Sequence, residues 1–150
     1  MANPTTVQVK GLQDLGRRLT ALQSTVANKI GQKATGAGAR VIRDKAKAKA
    51  PIAPQDYTVE GVLVKRGNLP KKIAIKAVPK SKRSMEAETL VYVRGKRKDG
   101  YANRIGQLQE FGTVKMEANP FMRPAFVEGK EDAVQAIKET LEKELTKVGA

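Results

Sequence analysis

From Leu12 onward apolar residues recur at Leu15, Leu19, Leu22, Val26, Ile30, Ala34, Ala37 and Val41, in steps of three and four. Steps of that size put side chains on one helical stripe, and the stripe predicts a long N-terminal helix that ends at Pro51. Unbroken, it would be about 58 Å long at about 1.5 Å per residue. Gly31, Gly36 and Gly38 lie inside it. Each costs about 1 kcal/mol relative to Ala in a helix interior, so they point to a kink, to a close approach by another backbone, or to a break near Gly36. A second stripe, Val134, Ile137, Leu141, Leu145 and Val148, predicts a C-terminal helix from about Pro124 to Val148. Glu128, Glu131 and Asp132 favour its first half and Lys143 and Lys147 its end, as the helix dipole prefers.

Between the two stripes the period shortens to two. Ile73, Ile75 and Ala77 alternate with Ala74, Lys76 and Val78, and Leu90 and Tyr92 with Val91 and Val93, which predicts strands over 71–78 and 89–94. Val7-Gln8-Val9 alternates as a short strand would. Thr58–Val64 is a β-prone run interrupted by Gly61, inside a segment, 52–65, that reads as an inserted loop or hairpin arm. Gly95–Gly100 reads as an exposed tip, and Ala102–Glu110 as a short helix. The fold expected is α+β: a long N-terminal helix and a C-terminal helix packed on one face of a small antiparallel sheet of three to four strands. At 150 residues a single domain spanning 1–150 is expected, long enough to bury roughly 70% of its unfolded surface.

Aromatic residues change where the core is sought. The chain has three Phe and three Tyr, and all three Phe lie with Tyr101 between Tyr101 and Phe126. Each buried ring removes a large apolar area from water, so Phe111, Phe121 and Phe126 are expected to converge as the chain folds back. Glu110–Ala125 then becomes the link that docks the last helix. Arg123-Pro124 sets proline in the first turn of that helix, where a missing N–H costs nothing. Phe121 has a second reading, as an exposed anchor for a neighbouring subunit.

Those same residues carry a resemblance. Tyr101, then Glu110-Phe111-Gly112-Thr113, then Pro120-Phe121-Met122-Arg123-Pro124-Ala125, with Arg66-Gly67-Asn68-Leu69 upstream, resemble head-tail joining and tail-completion proteins of long-tailed bacteriophages. This is the family named after gene product ten of a lambda-like coliphage. The basic N-terminal helix ending in Ala50-Pro51 and the acidic C-terminal helix extend the likeness over most of the chain. Similar proteins run from the Ala-Pro helix end almost directly into Gly-Asn-Leu, whereas Ile52–Lys65 intervenes here. The resemblance implies a structural virion protein at the head-tail junction, made in the host cytoplasm. It further implies a hexameric or dodecameric ring, neck and tail proteins as partners, and DNA passing through the channel.

Charge adds a rival. With 29 Lys+Arg against 15 Asp+Glu the net charge is +14, which raises affinity for any polyanion. The densest region is 71–98, with ten Lys/Arg and two Glu. Lys71, Lys72, Lys76, Lys80, Lys82, Arg83, Lys96, Arg97 and Lys98 are candidates to face DNA or line a channel, so the alternative reading is a stand-alone basic protein that binds duplex nucleic acid without sequence preference. One Tyr and no Phe or Trp in that stretch argues against a stacking platform for single strands. The basic first helix and the C-terminal helix, with six acids to four Lys from Glu128 to Val148, are complementary surfaces that could meet head to tail between neighbours.

Candidate chemistry is sparse. Without Cys or His, thiol chemistry, the usual structural zinc and a Ser-His-Asp triad are excluded. Glu86 and Glu88 read as surface charges rather than a catalytic pair, and Glu110 as an acceptor for a turn or a partner of Arg104 or Arg123. The expectation is no enzyme, no cofactor and no metal. Neither a signal-peptide core nor an apolar run of about 20 residues occurs, so no membrane partner is expected.

Overall fold

The computed structural model describes residues 10–150, and the strand expected at Val7–Val9 lies outside the described residues. In order come α1 (Leu12–Thr20), α2 (Ser24–Lys49), β1 (Tyr57–Val59), β2 (Val62–Val64), α3 (Asn68–Lys72) and β3 (Ile73–Ala77). They are followed by a 3-10 turn at Lys80–Lys82, β4 (Thr89–Val93), a second at Arg97–Asp99, α4 (Ala102–Phe111) and α5 (Met122–Lys147). The class is α+β as expected, with helices at both ends. The four strands form two antiparallel pairs, β1 with β2 and β3 with β4, instead of one sheet. Two compact units result: of the described residues one takes 10–41, Ala77–Leu90 and Lys130–Ala150, the other Ile42–Lys76 and Val91–Gly129.

In the first unit the apolar stripe is real but is cut. The helix breaks at 21–23, not near Gly36. The Thr20 hydroxyl donates back to the Gly16 carbonyl at 2.8 Å, a contact that bends helix ends. Leu15, Ile30 and Leu145 then share one buried cluster, with Leu12, Leu19, Leu22, Val26 and Leu141 packed around it. The three-four spacing passes through the turn unchanged, which is why periodicity alone could not show it. Gly38 stays inside α2 for the other anticipated reason. A Cβ there would lie 2.8 Å from Ile137 and 3.0 Å from the Ala133 carbonyl oxygen, so glycine lets α5 come close.

In the second unit the core is Phe121 set among Ala46, Ala50, Leu69, Ile73 and Ala125, with Val91, Val93 and Met122 against it. Small residues on α2 and α5 leave room for the ring. The same economy of volume recurs at Gly129, where a Cβ would lie 2.9 Å from the end of Ile42. Residues 57–64 form the hairpin arm. Tyr57, Thr58 and Val59 pair with Val64, Leu63 and Val62. Glu60 and Gly61 both have positive φ, 46° and 80°, as a type I′ turn requires.

The three phenylalanines do not converge. Phe121 is fully buried, but Phe111 is 71% exposed and Phe126 58%. Helical phase explains both. The buried side of α4 carries Ala102 and Gly106, and Phe111, five residues beyond Gly106, points about 140° away at about 100° per residue. Phe126 directly follows the buried Ala125, so it is turned about 100° from the core.

Candidate functional site

Glu110 organises the aromatic segment. It lies in the last turn of α4 and reaches across the 112–120 loop to the start of α5. One carboxylate oxygen accepts the Phe121 and Met122 N–H groups at 2.8 and 2.9 Å, and the other accepts Arg123 N–H at 2.9 Å. First-turn N–H groups have no partner inside their own helix, and a negative charge there is also favoured by the dipole. Burial pushes the Glu110 carboxyl up, but the Met122, Phe121 and Arg123 N–H bonds and the Arg123 charge outweigh it and hold it below the usual carboxylate range. The turn-acceptor role expected of Glu110 is thus the one found.

Around this clamp Gly112 closes α4 through its N–H to the Leu108 carbonyl at 2.8 Å, and Asn119 N–H bonds the Gln109 carbonyl at 2.7 Å. Pro120 is exposed, Arg123 is exposed, and Pro124 falls in the first turn of α5 as expected. Tyr101 opens α4 with a left-handed φ of 52°. Its hydroxyl donates to Glu60 at the hairpin tip at 2.5 Å, and this bond, then burial, raises the Tyr101 pKa. No spacing signal in the sequence links residues 60 and 101. Only the positive φ demanded by a two-residue hairpin at Glu60-Gly61 could have hinted at the turn.

The candidate DNA-facing residues are not alike. In the second unit Lys71, Lys76, Lys96, Arg97 and Lys98 are exposed, whereas Lys72 pairs with Asp99 at 2.5 Å. Asn68 also donates to the Asp99 carbonyl at 3.0 Å. The Gly95–Gly100 tip is therefore pinned to α3, and its three cations are presented from a fixed turn. Lys80, Lys82 and Arg83 belong to the first unit. Lys80 and Lys82 are exposed, but Arg83 donates to the Val78 and Glu86 carbonyls at 2.7 and 2.5 Å, closing its own loop. Glu88 accepts from Ser84 N–H at 3.2 Å in that same loop.

Complementary charge on the two long helices is satisfied in part within the chain. Lys33 meets Glu144 at 2.6 Å in the first unit, and Lys49 meets Glu128 at 2.7 Å in the second. Lys147 and Lys33 together hold the Glu144 carboxyl at about 2, well below the usual range. Among the described residues no cluster of acids offers a metal site, and no helix is long and apolar enough to cross a membrane.

The chain belongs to the family described as "Bacteriophage HK97-gp10, putative tail-component", which matches it over residues 13–112. The match takes in Tyr101 and Glu110–Gly112 and stops before Pro120–Pro124 and α5. No curated protein and no solved structure matches the chain. Membership makes it a structural protein of the bacteriophage tail-component class.

Proposed function

We propose that the protein is a ring-forming component of the head-tail connection, of tail-completion or tail-terminator type, located in the virion at the head-tail junction. Family membership over residues 13–112 carries the reading. The exposed Phe111, Val114, Phe126 and Val127 support it, because large apolar side chains left in water suit a subunit that is covered in an assembly. In this reading a closed ring of six or twelve copies contacts neck and tail proteins, and Lys71, Lys76, Lys96, Arg97 and Lys98 face the DNA. Negative-stain electron microscopy of the purified protein, alone and with neck or tail partners, tests it. Rings with a central hole are expected, and a strict monomer under every condition overturns the reading.

One observation favours a second reading, a stand-alone protein that binds duplex nucleic acid. The cations at Lys96–Lys98 are exposed on a pinned turn whose one acid, Asp99, is already paired. Here duplex affinity should fall steeply with salt through counterion release, with no rings at any concentration.

A further inference from the structure

The second unit holds a groove of about 760 Å³ beside α4 and the hairpin. Ile52, Tyr57, Val59, Leu69, Ile105 and Leu108 give it an apolar lining. Ile52 is 57% exposed and Leu108 37%, so part of this lining lies in water. The charges on the groove lean positive. Lys65 and Arg104 line it against one acid, Glu60, whose carboxylate accepts the Tyr101 hydroxyl. Glu60 and Tyr101 are also the two non-glycine residues with positive φ among the described residues. Strained backbone of this kind persists where the surroundings over-determine it, and it gathers at binding sites. The bond between them ties the hairpin tip to α4 along the groove.

We propose that this groove docks an acidic amphipathic segment of another protein chain, its apolar face on Ile52, Ile105 and Leu108 and its carboxylates on Lys65 and Arg104. An amphipathic segment laid in an apolar groove is a common recognition mode, and the flanking cations select its charge. A second copy of this chain fits less well. The exposed apolar residues of its α5, Phe126 and Val127, lie between Arg123, four residues before Val127, and the acids Glu128, already paired with Lys49, and Glu131, so that face carries mixed rather than acidic charge. The reading above enters only in the partner's source, a neighbouring tail or neck protein.

The test uses the full chain and a labelled helix-forming peptide of leucines and glutamates with one apolar face, followed by fluorescence anisotropy. Salt of about 150 mM screens exposed charges beyond about 8 Å. A lysine-for-glutamate peptide and a scrambled leucine-glutamate peptide are the controls. Leu108→Glu and Arg104→Glu should each weaken binding about tenfold, as loss of a central contact does, while Lys71→Glu, outside the groove, should change it less than about twofold. Circular dichroism melting shows that each variant is folded. Equal binding of the scrambled peptide, or equal loss in Lys71→Glu, overturns the proposal in favour of bulk charge. Displacement of the peptide by duplex DNA overturns it in favour of a nucleic-acid surface. Self-association lost in Leu108→Glu, seen by light scattering, replaces the occupant by a second copy. Because peptide binding is measured without rings, a failure of ring formation and a failure of the groove remain distinguishable.

Discussion

The two units reach burial by opposite means. The first packs leucines and isoleucine from three helices, with Leu15, Ile30 and Leu145 at its centre. The second seats one ring, Phe121, among three alanines, Leu69 and Ile73, and sets it in place through bonds to Glu110 from the N–H groups of Phe121, Met122 and Arg123, 11, 12 and 13 residues away. A core of many similar side chains spreads its stability over several contacts. A core arranged around one large ring concentrates more of it in a single residue, so the second unit is expected to be the more brittle of the two.

Emptying the two centres should expose that difference. Phe121→Ala is expected to lower stability by about 3 to 5 kcal/mol, the usual cost of removing a buried aromatic ring. Urea denaturation measures it, and amide hydrogen exchange should show the loss first in 42–76 and 91–129. A Phe121→Ala protein that melts unchanged yet fails to assemble would restore the anchor reading for this residue. Leu145→Ala should cost about 2 to 5 kcal/mol, with exchange rising first around Leu15 and Ile30. If both variants open the same amides to the same extent, the two cores do not act separately.

The clamp comes next. Glu110→Gln keeps the shape but removes the charge, and should cost about 1 to 3 kcal/mol, as for a hydrogen bond to a charged group. Its pH dependence has a definite sign. The folded-state carboxyl is held below its unfolded value, so the stabilisation is complete above the ordinary Glu range and is lost as pH falls through the folded value. Glu144 behaves alike in the first unit, over a window from the ordinary 4.5 down to about 2. Melting curves taken through this range should show Glu110→Gln and Glu144→Gln each flattening part of the acid limb. An unchanged limb in Glu110→Gln would deny the clamp its charge.

The smallest stability effect is expected at the rings that face water. Phe111→Ser and Phe126→Ser should change unfolding free energy by no more than about 0.5 kcal/mol, as surface substitutions usually do. If they line contacts between subunits, they should nonetheless reduce ring formation seen by electron microscopy. A large loss of stability in either would return these residues to the core and erase the contrast with Phe121.

Much of this molecule is legible in its sequence. The two helical stripes, the alternation at 73–77 and 89–93 and Pro124 in a first helical turn follow from local rules, because backbone period and capping depend on residues a few positions apart. Glu110, by contrast, stays open between a turn acceptor and a partner of Arg104 or Arg123, because its N–H donors lie 11 to 13 residues away. The hairpin arm was open between two readings, and the Glu60-Gly61 turn shows why it closed.

What the sequence by itself determined is therefore the phase of each element: which residues share a face. Which faces are covered was decided by the tertiary structure. Leu19 and Leu22 continue a helical spacing through a break between helices, because folding α1 back buries Leu15 against Ile30 and Leu145. Phe111, Phe121 and Phe126 are the same residue type within sixteen positions, and only Phe121 is buried. Hydrophobicity supplies each ring with the same drive to leave water, but burial needs a partner surface at the right angle, and that angle is set by elements distant in sequence.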